Sequence, residues 1–193
     1  MQNLAGSTFV FIGRSGCGKG TQVALLEDFL HKEGYQVLRI TTGDLGRELA
    51  QKKTLIGAWV QRIFEEGKLF PSWLALTLWL RELENALMDT RQVLLIDGAP
   101  RRLFEAQTLD ELMTAVDRPA PIPVYLDISE DEARRRLASR SRDDDKKAYT
   151  VDMRLAWFTT DVMPVLDYYK ERLMTISGEG TIDEVHQRLL QRI

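Results

Sequence analysis

Strand-type apolar runs recur along the chain at 8–12, 35–40, 93–96, 124–127 and 174–177, and between them hydrophobic residues return every three or four positions. Short β-branched and apolar runs bounded by glycine, proline or charge predict buried strands, and the 3.6-residue period predicts amphipathic helices. The pattern after the first run places Val23, Leu25, Leu26, Phe29 and Leu30 on one helix face and stops near Gly34. A strand, a helix and a second strand in this order make a βαβ unit, with parallel strands and a right-handed crossover.

From 41 to about 90 the pattern is mainly helical, with breaks at Gly57, Gly67 and Pro71. Two parallel strands do not need so much helix to join them. The excess predicts a small helical insert, 42–72, free to move relative to the sheet. Further helices are predicted at 103–116 and 130–139, and the charged, apolar-free stretch from Arg140 to Lys147 reads as a surface flap, 140–149. Leu155, Phe158, Val162, Leu166, Tyr169 and Leu173 then follow helical spacing, with Pro164 predicted to bend that helix. A last short helix turns Val185, Leu189 and Leu190 inward. The fold class is therefore α/β, a three-layer αβα sandwich around a five-stranded parallel sheet, with 1–193 forming one domain that carries two small inserts.

Composition narrows the function classes. With 193 residues and 44% hydrophobic content the chain has ample material for a core. Lys and Arg total 26 against 29 Asp and Glu, a net charge of −3, which argues against a sequence-independent nucleic-acid binder and for small anions as partners. Cys17 is the sole cysteine, so neither a disulfide framework nor a cysteine zinc site is available. No signal peptide or membrane-length apolar stretch is legible, and the expectation is a cytoplasmic protein with no membrane partner.

The chemistry concentrates where strands end. Gly13-Arg14-Ser15-Gly16-Cys17-Gly18-Lys19-Gly20-Thr21 turns the first strand into a helix through a glycine-rich loop. Such a loop lets backbone N–H groups converge on phosphate oxygens, the helix offers its positive end, and Lys19 supplies a mobile ammonium. Gly20 stands where a serine or threonine would ligate magnesium, so the metal is expected to be held through water. Asp97 closes the third strand, the usual place for a carboxylate that orients metal-bound water; a structural turn cap is the alternative.

The Gly-Lys-Gly-Thr-Gln spelling at 18–22 resembles the adenylate kinase family of nucleoside monophosphate kinases, and the resemblance extends over nearly the whole chain. It implies a P-loop NTPase fold with a helical monophosphate-binding insert and a short lid, and the use of ATP and Mg2+. Thr42-Gly43-Asp44-Leu45-Gly46-Arg47 looks like the family's monophosphate-binding threonine and arginine. Gly67-Lys68-Leu69-Phe70 is similar to its Gly-x-Leu-Val turn, and Asp97-Gly98-Ala99-Pro100-Arg101 matches its Asp-Gly-Phe-Pro-Arg except at Ala99. By that resemblance Arg47 and Arg101 grip the acceptor phosphate, the backbone of the 67–70 turn contacts the nucleoside, and Thr42, Gly43, Lys68, Phe70 and Gly98 are among the substrate-binding residues. The segment 136–145 resembles the short lid, which implies Arg136 against the ATP adenine and Arg140, Arg142 and Arg154 on the transferring phosphates. Ser141 replaces the lid's glycine, and Lys146-Lys147-Ala148-Tyr149 adds an extra residue after the aspartates. Monomeric state is the family's default.

Base choice stays open. Glu105 aligns with the glutamine by which family members that take AMP read adenine, and Gln107 lies two residues on. A carboxylate only accepts, so Glu105 suits a base edge that donates, as guanine's does, unless Gln107 enters the pocket. Equally, Glu105 could point to solvent in an acidic first turn. Transfer to AMP is the leading reading. The alternatives are a kinase for GMP, CMP or UMP and a catalytically weak nucleotide-binding regulator. His31 and His186 stand alone, and no general base is required, because a phosphate acceptor is already anionic. Arg134 and Arg135 read as a solvated helix face, and Trp59, Trp73, Trp79 and Trp157 chiefly as packing.

Overall fold

The computed structural model describes residues 3–139 and 148–193, with 148–150 as backbone alone. Five parallel strands form one sheet: β1 (Thr8–Ile12), β2 (Val37–Thr41), β3 (Val93–Asp97), β4 (Ile122–Asp127) and β5 (Met174–Ser177), in the order β2-β3-β1-β4-β5. The expected α/β sandwich is present. β1 and β3 lie in the middle and are buried along their whole length, which is why their sequences are unbroken apolar runs.

Successive strand residues face opposite sides, and the core divides accordingly. Phe9 and Phe11 pack with Val23, Leu26 and Leu30 of α1 (Lys19–Lys32) on one side, where Val185 and Leu189 of the terminal helix join them. Val10 and Ile12 face the other way. They meet Ala75 and Trp79 of the helix Ser72–Ala86 and Ala106 and Leu109 of the helix Leu103–Ala115.

The helices between β2 and β3 are α2 (Thr42–Ala50), α3 (Leu55–Glu65) and α4 (Ser72–Ala86). Gly57 is not the break that the sequence suggested. It lies inside the first turn of α3, where a Cβ would stand 2.2 Å from the Lys52 carbonyl oxygen, and the chain turns at 51–54 instead. Thr54 caps α3 by accepting from the Gly57 N–H at 3.0 Å. After β3 come α5 (Leu103–Ala115) and, beyond β4, α6 (Glu130–Ala138).

The final helical region also differs from expectation. In place of one helix bent at Pro164, α7 (Ala148–Trp157) runs into a π-helical turn (Phe158–Val162), then α8 (Met163–Tyr168) and a 3₁₀ turn (Lys170–Arg172). Pro164 lacks an N–H and crowds the carbonyl four residues earlier, and the backbone widens in the turn just before it. Phe158 and Val162 both stay buried. A capping box between Thr181 and Glu184 starts α9 (Ile182–Leu190). Of the predicted flap, residues 140–147, including Arg140 and Arg142, lie outside the described residues, while Ala148 and Tyr149 already belong to α7. Among those described, no helix is long and apolar enough to cross a membrane.

Strand register decides where the chemistry meets. Phe11 of β1 and Thr41 of β2 both pair with Asp97 of β3, so three carboxyl ends lie side by side, about 4.8 Å apart. The glycine loop, the start of α2 and the segment 98–101 leave the sheet together.

Candidate active site

The loop after β1 is shaped by what presses on it. A Cβ on Gly13 would meet the Leu126 carbonyl oxygen at 2.7 Å, and one on Gly16 the Ala133 carbonyl oxygen at 2.8 Å. Glycine is needed at both, because the loop is wedged between β4 and α6. Gly18, at φ 94°, is the N-cap of α1; it offers no side-chain cap, and the first turn carries no acid. The N–H groups of that turn are left for an anion. Lys19 Nζ donates to the Gly13 and Arg14 carbonyls at 2.8 and 2.9 Å and lies 3.4 Å from Cys17 Sγ. The ammonium is held against its own loop at the edge of the cleft.

That cleft has a volume of about 730 Å³ and runs from the glycine loop to α2, α4 and α7. Lys19, Asp97, Arg47, Arg101, Arg136 and Arg154 all line it. Arg101 sits 5.2 Å above the Trp157 ring, within cation–π reach, and Trp157 Nε1 donates to the Gly67 carbonyl at 3.2 Å. Burial pushes the Arg101 guanidinium below its ordinary value; Asp97 and Glu105 oppose this, while Arg154 and Arg47 add to it. Three guanidinium groups are therefore close enough to repel, a state that a bound anion relieves. Arg47 is held by Asp44 at 2.5 Å and lies 5.9 Å over Phe64.

The monophosphate-side expectations separate. Thr42, Gly43, Lys68, Phe70, Gly98 and Glu105 line the cleft, whereas Gln107 is exposed on α5 and does not. The solvent-facing alternative for Glu105 is corrected: the residue is 2% exposed, and its Oε2 accepts from the Arg101 N–H at 2.7 Å. Burial pushes its carboxyl up, against hydrogen bonds from the Arg101 backbone and the Ser72 side chain. Glu105 thus ties the Arg101 segment to the start of α4.

At the other end, Arg136 Nε donates to Glu132 at 2.5 Å and its Nη2 to the Gly178 carbonyl at 3.0 Å, beside Thr181, Ile182 and Val185. Glu132 also accepts from Arg135 at 2.7 Å, and the two arginines hold its carboxyl down at about 2. Arg135 lines the cleft as well, while Arg134 pairs outward with Asp152.

Sequence reasoning missed Arg39, Gln22 and the part played by two tryptophans. Arg39 lines the cleft from β2 and is paired with Glu27 at 3.1 Å; an arginine within a β-type run carries no motif. Gln22 is buried and bonds the Ile182 carbonyl at 2.9 Å across 160 residues, a distance no local pattern encodes. Trp79 donates to the Thr42 hydroxyl at 3.0 Å, and Trp157 supports Arg101, so neither merely packs. His31 is exposed, His186 is partly buried, and no histidine lines the cleft among the described residues.

No group of three or more His, Cys, Asp or Glu side chains suited to a metal occurs among the described residues. Asp97 lies beside the start of α1, where a Cβ on Gly20 would stand 3.2 Å from its Oδ2. The missing side chain leaves room beside that carboxylate. One carboxylate and open space suit a hydrated magnesium held chiefly by phosphate oxygens.

A glycine-loop cradle at the end of a central parallel strand, facing an arginine-lined wall across one cleft, defines a P-loop phosphotransferase. The family model "Adenylate kinase" matches residues 11–174. The chain is 33% identical over 181 residues to the adenylate kinase of Corynebacterium urealyticum, covering 94% of this chain and 96% of that one. It is 34% identical over 182 residues to adenylate kinase 1 of a Nostoc species (93% and 95% covered) and 34% over 184 residues to the adenylate kinase of a Mycobacterium species (95% and 97%). The chain belongs to the adenylate kinase family.

Proposed function

We infer that this protein is a nucleoside monophosphate kinase that reversibly transfers the γ-phosphoryl group of ATP to AMP, giving two ADP. The observation that carries this reading is the pairing of two anion sites in one cleft: the uncapped start of α1 with Lys19, and opposite it Arg47, Arg101 and Arg154. ATP phosphates rest on Gly13, Ser15, Gly16, Cys17, Gly18, Lys19, Gly20 and Thr21, with the adenine along Arg136. The acceptor phosphate lies against Arg47 and Arg101, and its nucleoside against Thr42, Gly43, Lys68, Phe70, Gly98 and Glu105.

The acceptor oxygen is already anionic near neutral pH, so nothing has to remove a proton from it. The chain's residues align the two phosphates and neutralise the charge that spreads in the transition state. Lys19 shifts from the loop carbonyls to the transferring group, and Arg101 and Arg154 meet it from the other side. Asp97 is the residue that would hold the water shell of a magnesium ion carried in on the nucleotide, and such an ion would supply further neutralising charge. Residues 42–72 and 140–149 act as the two closing parts, the second bringing Arg140 and Arg142, so that water is kept from the activated phosphate. The cleft's small-anion chemistry and the net charge of −3 support free nucleotides rather than nucleic acid as partners; a cytoplasmic monomer with no membrane partner is part of the same proposal.

The test is ADP formation above the rate without acceptor, measured with ATP and magnesium against AMP, GMP, CMP, UMP and dTMP. Turnover with AMP is expected to dominate, and Lys19→Met is expected to lower kcat by about a hundredfold or more. ATP binding with no transfer to any acceptor would sink the reading.

A further inference from the structure

Trp79 is 1% exposed in the core between α4 and the sheet, and its indole N–H can only donate. An indole N–H left unpaired in an apolar core keeps the full penalty of its lost hydration, so it needs an acceptor. The acceptor is the hydroxyl of Thr42, at 3.0 Å, on the first residue of α2. Thr42 is itself 4% exposed and lines the cleft.

A threonine hydroxyl ordinarily turns to donate or accept as its surroundings ask. Here one acceptor position of the oxygen is filled from the core side. Among the described residues the Thr42 proton has no acceptor of its own, and the cleft is the open side of the group. We propose that Trp79 is a positioning residue: its N–H fixes the polarity of Thr42, which then presents its proton to an acceptor atom of the bound monophosphate. This rests on the acceptor site described above. Trp79 touches no substrate and acts through Thr42 alone.

The experiment is AMP and ATP binding by calorimetry, with steady-state kinetics, on Trp79→Phe, Thr42→Val, Thr42→Ser and the Trp79→Phe/Thr42→Val pair. Trp79→Phe and Thr42→Val are each expected to weaken AMP binding about five- to tenfold, with ATP affinity within about twofold, and Thr42→Ser to recover most of the loss. The pair should bind AMP no more weakly than Thr42→Val alone, because Trp79 has nothing to act on once the hydroxyl is gone. A purely packing role moves these readouts differently: losses that add in the pair, or equal losses for ATP and AMP, would overturn the proposal. Should Trp79→Phe fail to fold, 3-benzothienylalanine at position 79 replaces the N–H with sulfur at nearly constant volume and is expected to give the same selective loss. Wild-type protein that binds ATP but not AMP would remove the acceptor reading and this inference with it. AMP binding unchanged by either replacement would overturn the inference alone.

Discussion

Gly46 and Phe70 share one space. A Cβ on Gly46 would stand 2.2 Å from the tip of the Phe70 ring, and Phe70 meets Phe64 edge-on at 5.3 Å, with Arg47 over Phe64. In a free helix, alanine gains about 1 kcal/mol over glycine, but overpacking costs about 1–3 kcal/mol. Crowding wins here, so Gly46→Ala is expected to lower the melting temperature and raise the KM for the acceptor by displacing Arg47. Phe70→Val removes the ring tip, and in that background Gly46→Ala should stabilise; thermal melts of the two pairs check the reversal of sign. Glu132 gives a pH prediction. Its pKa lies below its unfolded value because Arg135 and then Arg136 bond its carboxylate, so its contribution is complete above the ordinary carboxylate value of 4.5. That contribution fades as pH falls toward about 2. Glu132→Gln is expected to flatten this limb of an acid melt, and an unchanged limb would remove the pair from the account. Residue identity gave the chemistry of such groups but not their facing. Glu105 was legible as a carboxylate near the cleft, yet its bond to the Arg101 N–H depends on how α5 starts, which no spacing reveals.

At the scale of elements, the strands and most helices were legible because apolar runs and a 3.6-residue period survive without tertiary context. The π turn was not, since it arises where Pro164 meets a helix already pinned by buried Phe158 and Val162. Gly57 misled for a related reason: the sequence shows a helix breaker, whereas the structure needs a residue without a side chain where α3 starts against the end of α2. The π turn also places Asp161 where Arg102 Nε reaches it at 2.8 Å, while Arg102 Nη1 donates to the Phe70 carbonyl at 2.7 Å. One side chain thus joins the start of α5, the segment before α4 and the π turn. Charged hydrogen bonds of this kind contribute about 1.5–3 kcal/mol, so Arg102→Met is expected to lower the melting temperature by about 3–12 °C. The KM for the acceptor should rise with it, because Phe70 loses its tether. Asp161→Asn keeps the Phe70 bond and should cost less; equal losses from both variants would show that the ion pair, not the tether, carries the effect.

Over the whole molecule, the parallel register brings three strand ends together, and a chain with a net charge of −3 nonetheless lines one cleft with lysine and arginine side chains. Two anion sites with separate protein ligands should then register separately in stability. A ligand at a hundred times its Kd adds about 2.7 kcal/mol to the folded state. At about 2–4 °C per kcal/mol for a chain of this size, that corresponds to an upward melting shift of about 5–10 °C. ATP with magnesium and AMP are each expected to produce such a shift in the wild-type protein. Lys19 belongs to the cradle and Arg101 to the opposite wall, so Lys19→Met should remove most of the ATP shift and leave the AMP shift, and Arg101→Leu the reverse. Charge screening acts on both sites alike, and raising the salt should shrink the two shifts together without changing this cross-pattern. If either variant abolished both shifts while its unliganded melt stayed near that of the wild type, the cleft would hold one shared anion site. Direct transfer between two bound nucleotides would then lose its structural basis.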